Sequence, residues 1–439
     1  MSLTRRELLR ASPVVAFGAL SPGALLAAVV EQSTPMPDLS DWGQVRAQFP
    51  LDWSYSHFAS FFLVSHPKPV SDALDAYRRA LDHNPYLSLE RAMFSGPEDN
   101  LLLAVATEVA DYTGGTVDEV CLTGSTTESL ALVYQGLTLE PGDEVLTTTH
   151  DHYSHHESIR LAAEKSGASM RKISLFEDSS RPDTADMIRR LQAAITPSTR
   201  VVGLTWVHSS SGIRLPIQEI SAALKSRPNA PLLVVDGVHG LGSAEPKVAE
   251  LGADFFCAGT HKWMFAPRGT GIIWAREESW ARLRPTVPSF TDEEAYVAWM
   301  QDAAPATPTN ARRMMPGGFE AFEHRWATAA AFAMHRKIGR ERVAARIAEL
   351  NGQIKDGLAE IPRVRVHTPR SPEFSAGVVT FEVEGVPTRE VISQLLERRI
   401  VASGSPYANS QPRLAASLVN TPEEVEAAVG AVREIAGSA

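Results

Sequence analysis

The chain is predicted to be an α/β protein, with a large domain on a mainly parallel sheet and a smaller carboxyl-terminal α+β domain. Three observations carry this. From about residue 96 to 290, short β-branched and aromatic runs alternate with stretches of helical periodicity, the pattern of strands joined by crossover helices. Two of those runs, LLVV and FFCAG, end just before Asp236 and Lys262, which places both residues where open parallel sheets collect their ligands. Beyond a long helix from about Ala327, the strand-like GVVTFEVEG and the helix-like TREVISQLLERR form a separate, smaller set.

In chain order, residues 1–30 come first. Arg5 and Arg6 precede an apolar, Gly- and Ala-rich stretch broken by Pro13 and Pro22, which resembles a twin-arginine export signal and is too interrupted for a membrane span. An exported location, periplasmic or extracellular, is expected if it is a signal, and a cytoplasmic one otherwise. No stable membrane insertion is expected. Residues 31–95 read as an amino-terminal arm with a helix around Val70 to Asp82, and 96–290 as the large domain. Within it, TGSTTESLALVYQGL has Leu130, Val133, Tyr134 and Leu137 on one helical face, with Ser125 and Glu128 in capping-box spacing. A Gly-Ser-Thr turn feeding a helix leaves backbone N–H groups unpaired and suits an anion, although an ordinary capped helix gives the same pattern.

A strand from Glu144 to Thr149 follows, then His150, His152, His155 and His156. Imidazoles suit zinc, but no closely spaced Cys or carboxylate set completes a site, so no metal is expected. RVVGLTWVHSSSGIRLPI reads as a buried strand, a polar turn with Ser209 and Ser210, and a proline exit toward a helix. Residues 291–316, rich in Pro, Ala and Thr, read as a connector over the site, and 317–439 as the small domain. Near its end Arg413 lies on a short strand before Asn-Thr-Pro-Glu-Glu, a helix start with proline in the first turn and acids suited to the dipole.

At 439 residues, 44% hydrophobic and 21% charged, the chain can bury a large core and form a two-part enzyme. A net charge of −10 argues against general affinity for nucleic acid or anionic membranes. Two cysteines exclude a disulfide framework; Cys121 and Cys257 both sit in apolar runs and read as buried packing residues.

Taken together, residues 40–435 resemble the class V aminotransferase superfamily of fold type I pyridoxal phosphate (PLP) enzymes, nearest its isopenicillin-N-epimerase-like and cysteine-desulfurase-like branches. The resemblance implies that Lys262 forms a Schiff base with the cofactor aldehyde and that Asp236 faces the pyridine nitrogen. Thr260 and His261 come with the lysine as cofactor contacts. Gly124, Ser125 and Thr126 correspond to the phosphate turn. Asp151-His152 matches a family pair whose imidazole stacks over the ring, which leaves His150, His155 and His156 as expected exposed loop residues. Ser209 or Ser210, together with His239, correspond to polar groups near the phenolic oxygen. Arg413 would take the substrate α-carboxylate in its planar fork. A homodimer is also implied, although Gly317, Gly318 and Phe319 stand where many members supply a threonine to the neighbouring subunit's phosphate.

The expected function is PLP-dependent chemistry at the Cα of a small amino acid substrate: amino-group transfer or related epimerase-type proton transfer. The alternatives are C–S or other β-elimination without a catalytic cysteine, and a catalytically silent binding protein of the same fold. Desulfurases use a thiolate on the loop before the carboxylate arginine, and here VASGSPYANSQPR has none, so persulfide chemistry is not expected. Tyr55, His57, Phe61, Phe62, Arg91 and Tyr407 are candidates for the pocket lining.

Overall fold

The computed structural model describes residues 36–438, so the export signal expected over residues 1–30 lies outside the described residues. A two-residue strand, Ser56–His57 (β1), precedes the large sheet. Its members are Val120–Thr123 (β2), Glu144–Thr148 (β3), Ser169–Ile173 (β4), Thr199–Thr205 (β5), Leu232–Asp236 (β6), Phe255–Gly259 (β7) and Gly271–Ala275 (β8). They are ordered β2-β8-β7-β6-β5-β3-β4. β3 to β7 run parallel, while β8 is antiparallel to both neighbours, so β2 points the same way as β7. The carboxyl ends of β2, β3, β5, β6 and β7 therefore open on one side.

β2, β3, β7 and β8 are buried along their whole length, as unalternating apolar strands between helical layers must be. The helix Thr126–Gly136 starts at Ser125 and buries Leu130, Val133 and Tyr134, with Leu137 as its C-cap. Further crossover helices are Tyr153–Ser166, Thr184–Ala194 and Ile217–Lys225. Beyond the sheet, Phe322–Ile338 and Arg340–Ala359 form two long helices that meet at Gly339, whose φ of 97° is open to glycine without strain.

The small domain supplies Val364–Val366 (β9), Val379–Val383 (β10), Ile400–Val401 (β11), Ser403–Gly404 (β12) and Pro412–Leu414 (β13). β12-β13-β10-β9 form an antiparallel sheet, and the helices Thr388–Glu397 and Pro422–Ser438 help close a second core around Phe381, Leu395 and Val432. The arm is woven into that domain. β1 pairs in parallel with β11, the Phe58 amide donates to Val401 O at 2.9 Å, and its carbonyl accepts from the Ala415 amide at 2.9 Å. Phe58 is thereby fixed in the small-domain core, and Phe61, a turn further on, is buried against Trp263. The arm's helix spans Lys68–His83, followed by Pro85–Phe94.

Residues 291–316 are more ordered than a plain connector. They hold the helices Glu293–Met300 and Ala311–Met314, capped by Asp292 and Asn310, and buried Arg313 pairs with Asp292 and Glu294. The two capping residues explain why a Pro- and Thr-rich stretch folds locally. Its second helix packs beside β2. Among the described residues no helix is long and apolar enough to cross a membrane.

One glycine ties fold to site. Gly237 follows Asp236, and a Cβ there would meet the Phe256 ring at 1.9 Å. We expect Gly237→Ala to force Phe256 or the strand end aside, costing about 1–3 kcal/mol as overpacking does. Calorimetry should show a lower melting temperature together with weaker cofactor retention; an unchanged melting temperature would contradict the packing assigned to this turn.

Candidate active site

The site is assembled from strand ends. Asp236, the last residue of β6, is 2% exposed and accepts a hydrogen bond from the Val238 amide at 3.1 Å. Burial raises its carboxyl to about 6, although the Val238 amide and Lys262 pull the other way. Lys262, just past β7, has Nζ 3.3 Å from His239 Nε2. Burial brings the amine down to about 8; the Arg413 cation acts in the same direction and Asp236 opposes it. The Trp263 indole N–H donates to His239 Nδ1 at 3.4 Å, so a neutral His239 carries its proton on Nε2 and donates it to a neutral Lys262 amine. Burial, reinforced by the Lys262 and Arg413 charges, holds His239 well below the usual histidine range, consistent with that neutral pair.

Arg413, on β13, is 3% exposed, and its guanidinium donates to Ser209 O at 2.9 Å, Gly404 O at 2.8 Å and Ser403 Oγ at 3.3 Å. It lies 4.8 Å from the centre of the Phe61 ring. Among the described residues no carboxylate lies within ion-pair distance of it, and burial lowers it to about 10. A buried cation held only by neutral oxygens is a strong attractor for an anionic ligand. Ser209 adds a side-chain link, its Oγ 2.8 Å from the Tyr407 hydroxyl, while Ser210 beside it is half-buried. Burial pushes the Tyr407 phenol up to about 12.

His152 caps the helix Tyr153–Ser166, its Nδ1 accepting from the Ser154 amide at 3.2 Å. Its ring packs nearly perpendicular to that of Tyr407, with centroids 6.1 Å apart. Burial and the nearby Lys262 charge keep it below the usual histidine range. The other three histidines are not the exposed loop residues that the sequence suggested. His155 is fully buried with Nε2 2.7 Å from the Tyr134 hydroxyl, half-buried His150 stacks on Phe176 at 3.9 Å, and half-buried His156 has Nε2 2.8 Å from Thr148 O. The helix begins directly after His152, so its following turns carry two of these rings inward, against β3 and the Tyr134 helix. The four imidazoles turn to different partners, and among the described residues no group of three or more His, Cys, Asp or Glu is placed to hold a metal ion. Asp151 is the buried anion of this corner: one oxygen accepts from the Thr147 hydroxyl, the Thr148 amide and the Thr148 hydroxyl at 2.7–2.8 Å. Burial works against its charge, but nearby His155 and His208 and the threonine hydroxyls outweigh it and hold the carboxyl at about 2.

Gly124, Ser125 and Thr126 form the start of their helix. Ser125 Oγ accepts from the Glu128 amide at 3.1 Å, and the Glu128 carboxylate takes the Gly124 amide, one residue earlier than a capping box. The amides of the first turn have no intrahelical acceptor and face the open ends of the strands. Thr126 is turned the other way, its Oγ1 accepting from the Gly259 amide at 2.7 Å, which locks the helix start to β7. Thr260 is likewise drawn inward. Its hydroxyl lies 2.6 Å from Thr270 Oγ1, which itself donates to Pro267 O, so Thr260 is the donor to Thr270. His261 reaches Thr270 O at 3.3 Å through Nδ1. The structure thus brings Lys262, Asp236, His239, His152, Ser209 and Arg413 together, and commits the side chains of Thr126, Thr260 and His261 to holding the frame. Trp263 was not singled out by the sequence; its place next to the lysine was the available signal.

Comparison with known proteins agrees with this frame. The model of the family described as Aminotransferase class-V matches residues 65–427. The chain belongs to the aminotransferase class-V family. A probable cysteine desulfurase of Pyrococcus abyssi is 27% identical over 410 residues, covering 90% of this chain and 97% of that protein. Isopenicillin N epimerase of Streptomyces clavuligerus is 27% identical over 409 residues, covering 91% and 99%. Among solved structures, an apo cysteine desulfurase from Thermococcus onnurineus NA1 is similar with a TM-score of 0.76 at 24% identity, covering 93% of this chain and 100% of that one. A C-DES mutant with glycine covalently linked to its PLP cofactor is similar with a TM-score of 0.77 at 21% identity, covering 91% and 99%.

The family uses pyridoxal phosphate, and the residues fit that group. Asp236 is a buried carboxyl that a protonated ring nitrogen would keep ionised, the first-turn amides at Ser125 suit a phosphate, and Lys262 is an amine depressed toward its neutral, nucleophilic form. The charge arrangement also has a sign that can be checked. In cofactor-free protein, acylation of Lys262 should titrate with a midpoint near 8. Asp236→Asn removes an anion that favours the ammonium and should move the midpoint down; Arg413→Gln removes an opposing cation and should move it up. Peptide mapping of the acylated lysine against pH reads both, and shifts in the reverse directions would refute the assignment.

Proposed function

We propose that the protein is a PLP-dependent enzyme that moves the Cα proton of an amino acid substrate, in amino-group transfer or epimerisation. The observation that carries this is the Lys262 amine, buried, depressed to about 8 and hydrogen-bonded to His239, in the same pocket as an Arg413 guanidinium that has no carboxylate partner among the described residues. When bound, PLP supplies an electron sink for negative charge at Cα.

The chain's own residues supply the rest. Asp236 would hold the ring nitrogen protonated, and the amides at Ser125 and Thr126 would hold the phosphate, the expected third donor, the Gly124 amide, being taken by the Glu128 carboxylate. His152, fixed by its helix cap, would cover one face of the ring. Arg413 would bind the α-carboxylate, and its grip on Ser209 O and Gly404 O fixes where that carboxylate lies. Lys262 is the base that takes the Cα proton and the acid that returns it, its depressed value favouring both roles near neutral pH. Phe61 and Trp263 exclude water beside it. β-Elimination is the second reading, favoured by the same buried amine, because it begins with removal of the same proton.

Release of sulfur through a protein persulfide is not part of the proposal. The loop from Val401 to Arg413 presents Tyr407 and no thiol, and Cys121 and Cys257 are buried in β2 and β7 with burial pushing both thiols up. In deuterated buffer the holoenzyme should wash the Cα hydrogen out of its substrate, as read by NMR, and Lys262→Ala should slow this by roughly 10²–10⁴-fold or more. A double variant, Cys121→Ser with Cys257→Ala, that still binds PLP should keep the exchange. Loss of turnover in that variant, with a cysteine persulfide accumulating on the wild type, would overturn the proposal.

A further inference from the structure

Tyr407 stands apart from the proton-handling pair formed by Lys262 and His239. Its hydroxyl is 2.8 Å from Ser209 Oγ, and the same serine's carbonyl takes Arg413 at 2.9 Å. Arg413 also lies over Phe61, which packs against His239 with centroids 5.6 Å apart, and His239 reaches Lys262. The contacts run Lys262, His239, Phe61, Arg413, Ser209, Tyr407, so the carboxylate-binding cation is linked to two proton-handling groups through separate sets of contacts. The Tyr407 ring packs nearly perpendicular to that of His152, the group assigned to cover the cofactor ring. A tyrosine needed only to brace the loop has no requirement to aim its hydroxyl at the residue that positions Arg413. The hydroxyl retains a donor and an acceptor role, because Ser209 Oγ can serve as either partner.

We propose that Tyr407 is a second acid/base of this site, acting on Cα from the side away from Lys262, so that the site inverts the configuration of an amino acid. This rests on the Cα proton chemistry proposed above. In one direction the Cα–H bond breaks, its proton passes to the neutral Lys262 amine, and the electron pair left behind forms a new C–H bond with the proton of the Tyr407 hydroxyl. The phenolate recovers a proton from the Lys262 ammonium through solvent, so none is gained or lost overall. The reverse direction exchanges the two roles. Ser209 positions the hydroxyl and, through its carbonyl, Arg413.

The test follows Cα hydrogen exchange by NMR and configuration by chiral chromatography for the proteinogenic L-amino acids and their D-enantiomers, with holoenzyme in deuterated buffer. Wild type should exchange and invert its substrate, and in Tyr407→Phe the ratio of inversion to exchange should fall by roughly 10²–10⁴-fold, the contribution of one positioned acid/base group. PLP uptake, read as quenching of tryptophan fluorescence, should be the same in both proteins, which separates this role from a structural one. Wild type that exchanges without inverting, or a variant that inverts at the wild-type ratio, overturns the role of Tyr407 and leaves Lys262 as the proton carrier. Absence of exchange with every amino acid overturns the function proposed above as well.

Discussion

Burying Lys262 and Arg413 in one pocket, with Asp236 as the nearby carboxylate, is the constraint on which the site depends. In a low-dielectric interior two cations repel with little screening, and the removal of each from water is itself unfavourable. The protein meets this in two ways. Lys262 gives up its charge more easily, depressed to about 8 and accepting a hydrogen bond from His239 when neutral, whereas Arg413 stays charged and is held by Ser209 O and Gly404 O. What remains is an amine drawn toward its neutral, nucleophilic form beside a cation that awaits an anion, and a carboxyl raised to about 6 that awaits a cation. An amino acid carboxylate and a protonated pyridine nitrogen answer these two needs.

Three parts of the chain must pack before that pocket exists. The large sheet contributes Asp236, Lys262 and His152 from strand ends, the small domain contributes Arg413 and Tyr407, and the arm contributes Phe61. The joints between them are polar and specific. Thr368 donates to Ser211 O at 2.7 Å, the Arg214 amide donates to Phe374 O at 2.8 Å, and Ser179 donates to His367 O at 2.8 Å, so the turn bearing Ser209 is held by the small domain on its other side. Buried Lys355 organises the loop that makes these bonds, donating to Pro369 O, Arg370 O and Ser375 Oγ at 2.7–3.0 Å. The position of Arg413 is thus set by packing between domains as much as by its own short strand.

The parts of this arrangement that follow from local rules were readable in the amino-acid order. Apolar runs ending at Asp236 and before Lys262 located both strand ends, Ser125 with Glu128 located a helix start, and the two cysteines lie buried within strands. What was missed depends on contacts between distant segments. His155 is fixed by Tyr134, twenty-one positions away on another helix, and the space for that pair exists because Gly203 on β5 has no Cβ, which would lie 2.3 Å from the Tyr134 hydroxyl. No periodicity in the histidine-rich segment reports on that glycine. The pairing of Ser209 with Tyr407 joins residues 198 positions apart, so Tyr407 remained one of several pocket candidates until the fold was in view. Thr126, Thr260 and His261 show the opposite case, since their position beside the site suggested ligand contact and their side chains are instead used to hold β7, β8 and the helix start in register.

We propose that Lys262, and not another lysine, is the amine prepared for the cofactor. Borohydride reduction of the holoprotein followed by peptide mapping tests it directly. A single pyridoxyl mark on Lys262 and none in Lys262→Ala is expected; the mark on any other lysine, or its persistence in that variant, would contradict the assignment.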